Sequence, residues 1–598
     1  MKIKKSTNYS KDNDELKTHM KNTIIIFILL ATTTMLFGQD KKKDTLDTEV
    51  INVVKPYTPT VSDAFKIKVA PEINDSKINK KKPIEYSIFS IPVASTFTPA
   101  KGKAKILRVD PSAPIYDNYI TAGFGNFGTP AVEIFAHNDN NGYNEFGGFF
   151  KYHSSKGGIK DVLLDDDFLD TRLDLFYKQE ERDFEWQLNA GFIYQKYNWY
   201  GLPEGLNFSE IAVNSIDEAQ NYTEIYVGGK IDYNDSFFQG ATAELYRFTD
   251  NEGSSEVHLL AKPKIEFPIA SEYINLEARV EALRGEFFTN YDNTDDISYT
   301  YLNLGINPNF EVLRDNLTVN LGADILFSAA SGVSESKAYF YPKITASFVL
   351  IDQIATLYTG VLGGLHQNSY RDFANENPFV SPTLNVLRTD QQYNAYGGIR
   401  GKLASNVSYN LKGGYTSERD KPLYKLNPLK TEGATTVMKG YEAGNSFQII
   451  YDDVKTLYAL AEVSVDFSKQ LKFGGNVAYN NFSTTNEAEP WGLPNLKATA
   501  FANYNVNKWF AGADLFFVGQ RKDELVFEIP GVLINRSSEL LDVGNYVDLN
   551  LNAGYKFTDR LTAFAKVNNV LGSNYQKYTN FQVQGLQFFA GLTYKFDL

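Results

Sequence analysis

Several groupings in the sequence carry residue types that could do chemistry. Gly123-Phe124-Gly125-Asn126-Phe127-Gly128 spells G-x-G-x-x-G, a pattern whose backbone N–H groups can cradle a phosphate. That chemistry needs a helix to open after the glycines, so that the phosphate meets its N-terminus. The next residues, Thr129-Pro130-Ala131-Val132-Glu133-Ile134-Phe135, alternate as a strand does, so the glycines are expected in a hairpin turn. Asp161, Asp165, Asp166, Asp167 and Asp170 form an acidic run, and calcium takes several oxygen ligands. The run lacks the EF-hand spacing and glycine, and reads as a solvated loop. The five histidines, His19, His137, His153, His258 and His366, are scattered, and no H-E-x-x-H, G-x-S-x-G or His/carboxylate cluster appears. No catalytic, cofactor or metal residue is assigned, and enzyme activity is not expected, although a triad assembled only in space escapes such a scan. Lys497, Asp514, Asp548, Lys556, Lys566 and Lys595 alternate with apolar residues. Facing a wet interior they could set ion selectivity; the plainer reading is that they hydrogen-bond one another.

The elements that position these residues are strands of one kind. In the last eighteen residues, FQVQGLQFFAGLTYKFDL, the apolar set Leu586, Phe588, Ala590, Leu592, Tyr594 and Phe596 alternates with Gln587, Phe589, Gly591, Thr593 and Lys595. A strand sends successive side chains to opposite faces, so one face is greasy and the other small or polar, as lipid on one side and a wet lumen on the other require. Phe184 to Tyr194, Leu496 to Val506 and Val547 to Phe557 repeat the scheme, the last with Asp548, Asn550, Asn552 and Lys556 opposite. Aromatics at the strand ends match the girdles of outer-membrane barrels. Tight connections at 468–470, 507–508 and 558–560 alternate with longer polar ones at 481–494, 520–545 and 571–583, as turns and outer loops do. Residues 115–598 therefore form one large antiparallel transmembrane β-barrel of about 20–22 strands, given about 9–11 residues per strand plus connections. The strand count is least fixed near 417–456.

Composition is compatible with this. Of 598 residues 14% are aromatic and none is cysteine, which excludes a disulfide scaffold and thiolate metal sites. Mean hydropathy is negative, but barrels evade that test because each strand is only half apolar. Lys17 and Lys21 precede the apolar run Ile24 to Phe37, followed by Gly38-Gln39. The run is too short to span a membrane and has the length of a signal-peptide core, so residues 1–38 are expected to be removed on export, with Met20 as an alternative start. The remainder carries 53 basic and 69 acidic residues, a net of −16 that argues against nucleic acid as partner. Residues 39–114 hold eight of the 21 prolines and a single glycine, Gly102, and read as an extended periplasmic arm.

The end of the chain resembles the TonB-dependent outer-membrane receptors. Val567-Asn568-Asn569-Val570-Leu571, Tyr575, Gly585 and the closing strand through Phe596 are similar to that family's penultimate strand, loop and last strand, with Gly591, Tyr594 and Phe596 at the spacing of the barrel-assembly signal. Phe589 departs, standing where a polar residue is usual, and Asp597-Leu598 extend past the terminal aromatic. Thr48-Glu49-Val50-Ile51-Asn52-Val53-Val54 resembles a TonB box, which in the family pairs with an energy-coupling protein by strand addition. About sixty residues separate Val54 from Ile115, fewer than the family's glycine-looped plug, so the resemblance covers the barrel and implies a missing plug or one reduced to an arm.

The resemblance implies a receptor- or transporter-type barrel in the Gram-negative outer membrane, taking a ligand of unknown identity through its lumen. Its implied partners are outer-membrane lipid, a TonB-type coupling protein and the barrel-assembly machinery. Two other readings stand beside it: a plugless structural or assembly barrel within a larger complex, and a passive porin.

Overall fold

The computed structural model describes residues 116–598, apart from 141–142, 235, 270–271, 333, 435 and 528–536. The expected signal segment 1–38, the expected arm 39–114 and the box-like Thr48 to Val54 lie outside the described residues. Twenty-two antiparallel strands form one sheet, and the first, Asn118–Gly125, pairs with the last, Gln587–Phe596, from Asn118↔Phe596 to Gly125↔Phe589. Closure leaves the sheet no edge and satisfies the backbone within lipid.

Outward residues follow the expected alternation. On the last strand Phe588, Leu592 and Tyr594 are exposed on the lipid side, while Gly591 and Thr593 face inward. Trp509, Phe557 and Phe467 are exposed near the end where the first strand begins and the last strand finishes, as an interfacial girdle requires. Connections at that end are two to four residues long; those at the other end reach twenty-seven.

Inward glycines meet flat aromatic rings from neighbouring strands. A Cβ at Gly398 would stand 2.4 Å from the Tyr358 ring, and Gly360 and Gly414 receive Tyr396 and Tyr458 in the same way. The ring covers backbone that has no side chain of its own, which stiffens a weak strand position. Phe589 belongs to this scheme. Its ring lies where a Cβ on Gly123 would come within 2.5 Å, it packs beside Phe564 with ring centroids 6.0 Å apart, and it is buried. An aromatic replaces the usual polar residue because a glycine notch receives it.

Three expectations need adjustment. Near 417–456, where the sequence leaves the strand count least fixed, Val407–Leu426 and Phe447–Asp466 are twenty-residue strands that pair directly, so the outer connection is 427–446. The connection at 520–545 contains its own hairpin, Arg521–Phe527 with Ser537–Val543, outside the barrel sheet. Gly123 and Gly125 lie in a strand, with the turn at 126–128 and a strand, not a helix, after it.

Candidate functional site

The long connections fold inward across the mouth of the barrel and pack into a cap. Burial along the wall marks its depth. In Ser255–Ile269 the inward Glu256 and His258 are buried, whereas farther along the same face the Lys264 side chain is 58% exposed. In Ile297–Arg314 the apolar face changes sides. Ile297, Tyr299 and Tyr301 are buried inward, and beyond them Leu302, Leu304 and Ile306 are exposed outward. The strand leaves the membrane where its apolar side turns from lipid to cap.

The centre of the cap is segment 368–387. The Ser369 hydroxyl accepts the Asp372 N–H at 3.0 Å and starts the short helix Tyr370–Glu376. Phe379 stacks on Phe581 with centroids 3.8 Å apart and meets Tyr200 edge-on. Ser381 and Phe447 fix the segment to the strand Phe447–Asp466, the Ser381 N–H donating to the Phe447 carbonyl at 2.9 Å and the Phe447 N–H to the Phe379 carbonyl at 3.0 Å. Trp199, Tyr441, Leu429 and Leu525 bring in other loops.

A buried irregular loop must satisfy its own backbone. Tyrosine hydroxyls do much of this: Tyr222 donates to the Pro378 carbonyl at 2.9 Å, Tyr291 to Pro428 at 2.6 Å, Tyr301 to Val386 at 2.7 Å and Tyr200 to Gln582 at 2.9 Å. Carboxylates collect N–H groups. Asp452 accepts from the backbone of Thr485, Asn486 and Glu487 at 2.9–3.0 Å. Asp523 ties two connections to the end of the strand Val407–Leu426, accepting the Leu426 N–H at 3.1 Å and the Thr579 hydroxyl at 2.6 Å. Burial pushes the Asp523 carboxyl up to about 6 against the pull of these hydrogen bonds.

The residues singled out from the sequence scatter. The acidic run is divided: Asp166 accepts the Gly157 N–H at 2.7 Å, Asp167 binds Lys196 at 2.9 Å and Asn198 at 2.8 Å, and Asp170 faces Lys151 at 2.7 Å. Among the described residues no group of three or more His, Asp or Glu side chains is placed to hold a metal. His258 sits between the Tyr246 hydroxyl at 2.6 Å and Glu281 at 3.0 Å, inside a wall network with Arg279 and Asn303. His137, His153 and His366 lie elsewhere on the wall. Lys497, Asp514, Asp548, Lys556, Lys566 and Lys595 share the inward face, and Asp548 meets the Tyr575 hydroxyl at 3.2 Å, so part of the set hydrogen-bonds within the protein. Gly591, Tyr594 and Phe596 all lie in the closing strand, the two rings stacked outside with centroids 6.4 Å apart. Sequence reasoning missed the inward aromatics Tyr222, Tyr246, Phe248, Tyr299 and Tyr301. The reversal of the apolar face within a strand is the signal that finds them.

No family model and no curated protein matches the sequence. Solved structures do. The ferripyoverdine receptor of the outer membrane of Pseudomonas aeruginosa, bound to ferripyoverdine, aligns at a TM-score of 0.58 and 14% identity, covering 81% of this chain and 72% of its own. The ferric-catecholate import receptor Fiu from E. coli K12 aligns at 0.58 and 9%, covering 81% and 82%. The copper transporter OprC aligns at 0.58 and 12%, covering 80% of each chain. Identities this low speak for the fold: the chain has the twenty-two-stranded barrel of the TonB-dependent outer-membrane receptors.

Proposed function

We propose that the protein is a receptor- or transporter-type barrel of the outer membrane that admits a ligand at the cap and passes it through the lumen. The observation that carries this reading is the cap itself. Six connections, with tyrosines placed to satisfy their carbonyls, pack a continuous aromatic core across the outer mouth. A passive pore has no use for such a closure, whereas a selective one needs a closed state. The barrel shared with known receptors and a copper transporter supports the same class. In this reading the signal segment 1–38 is removed on export, the arm 39–114 lies on the periplasmic side, and Thr48 to Val54 offers a strand to an energy-coupling protein.

Planar-bilayer conductance tests it. The full exported chain is expected to be silent, as is a chain lacking 39–110, because the cap still closes the mouth. A chain lacking both 39–110 and 369–386 should conduct. A large steady conductance from the full chain would instead support a passive porin. Copurification of stoichiometric protein partners, unchanged by deleting residues 48–54, would support the assembly reading.

A further inference from the structure

The two halves of segment 368–387 are held by different forces. Residues 377–387 are tied to the wall strand Phe447–Asp466 by main-chain bonds and by Tyr451, whose hydroxyl donates to the Asn385 carbonyl at 2.9 Å and accepts the Leu387 N–H at 2.9 Å. The helix Tyr370–Glu376 has much of its polar anchorage on charged side chains of other wall strands. Glu256 accepts the Tyr370 N–H at 2.8 Å, the Arg371 N–H at 3.3 Å and the Tyr299 hydroxyl at 2.6 Å. The Arg371 guanidinium pairs with Glu224 at 3.2 Å, lies 3.9 Å from Glu244 and 3.4 Å from Asp372, and covers the Tyr246 ring at 3.6 Å. The Tyr370 hydroxyl donates to Asp250 at 2.8 Å, and its ring packs on Phe248 and Phe287. Main-chain pairing to a strand persists as long as the strand does. A buried charge pair can part where the carboxylate left behind finds another cation or a ligand's own charge.

We infer that the helix Tyr370–Glu376 is the movable member of the cap, latched to the wall by Glu224, Asp250 and Glu256 and hinged where residues 377–381 join Phe447. This inference rests on the transport reading for its purpose, though not for its test. Release of the helix uncovers the wall around Tyr246, Phe248 and Phe287 and opens the mouth on that side, while the Phe379–Phe581–Phe447 stack stays in place. A ligand bearing cationic groups would compete with Arg371 for Glu224 and Glu256.

The chain has no cysteine, so single reporter thiols can be read in intact cells. Phe248→Cys lies behind the helix and Ser381→Cys behind the hinge, both buried. Each is exposed to a membrane-impermeant maleimide in an otherwise native chain and in one carrying Arg371→Ala with Glu256→Gln. The expected result is a tenfold or greater rise in labelling at position 248 with position 381 unchanged. Equal rises at both positions would show that the cap comes away as a whole, and no rise at either would show that the charges do not hold the helix; either overturns the latch. Heat-modifiable gel migration of each variant reports that the barrel has assembled. As a second approach, a short bifunctional thiol reagent bridging Glu224→Cys and Arg371→Cys should abolish labelling of a third cysteine at position 248, and continued labelling would overturn the inference. Conductance failing in the experiment above would remove the transport reading and leave this result standing.

Discussion

On the strand Ile297–Arg314 the membrane-facing stretch and the outer stretch are built from the same residue types, aromatic and aliphatic, placed on opposite faces. Leu302, Leu304 and Ile306 point to lipid, where any apolar side chain of suitable size serves. Tyr299 and Tyr301 point to the cap, where each hydroxyl has a definite acceptor: Glu256 at 2.6 Å for Tyr299 and the Val386 carbonyl at 2.7 Å for Tyr301. The wall is thus a repeating structure specified pair by pair with its neighbour strands. The cap is a set of contacts between residues far apart in sequence, such as Tyr200 with Gln582 and Phe379 with Phe581. The wall tolerates exchange of one apolar residue for another and has no room at inward glycines such as Gly360, Gly398 and Gly414. The cap should show the reverse: its aromatics are individually costly to lose, yet losing one should leave the barrel standing.

The sharpest way to break this comparison is at a glycine joint. Gly398→Val places side-chain atoms into the Tyr358 ring and within 2.6 Å of the Leu411 carbonyl. Overpacking of this kind costs roughly 1–3 kcal/mol where neighbours can give, and more against backbone. The expected outcome is loss of the assembled, heat-modifiable band from outer-membrane fractions; normal assembly would mean that the joints are decoration. Phe379→Ala should cost the cap about 3–5 kcal/mol, the usual penalty for emptying a buried phenylalanine site. Faster hydrogen exchange should then appear in 368–387 and 569–586 with the wall amides unchanged, and loss of the whole barrel would erase the distinction between the regions.

A third prediction uses pH. The Asp523 carboxyl is raised from 3.8 to about 6 by burial in the cap. The folded cap therefore holds the proton more tightly than the unfolded chain does. Its contribution to stability is complete below pH 3.8 and is lost as pH rises through about 6. Cap melting followed by the fluorescence of Trp199 and Trp491, both buried there, should fall in temperature over that interval. Asp523→Asn keeps an acceptor for Thr579 and for the Leu426 N–H and should flatten the dependence. A slope that survives the substitution would assign the titration to another group. The smallest effect belongs to the other end of the molecule. Lys472 and Asp466 approach to 3.5 Å with side chains 46% and 63% exposed, so Asp466→Asn should change stability by less than about 1 kcal/mol in thermal melts.

The wall is legible in the sequence alone. A period of two with lipid on one side leaves one consistent assignment of faces, and that assignment holds in Phe184 to Tyr194, Leu496 to Val506, Val547 to Phe557 and the closing strand. The position of the tight turns at 468–470 and 507–508 was equally local information. Around 417–456 the strands run past the membrane, and the hydrophobic rule that identifies the others no longer applies to them. The cap had to wait for the closed fold. Its partners are set by which strands the barrel places across the mouth, so Glu256 meets the Tyr370 N–H and Asp523 meets Thr579 across separations no local pattern encodes. The box-like Thr48 to Val54 lies outside the described residues, and its role stays with the proposal. The cause of this division is the solvent. Lipid imposes the same demand on every residue that touches it and so writes a period into the chain, whereas the cap is packed against itself, and each contact answers only to its own partner.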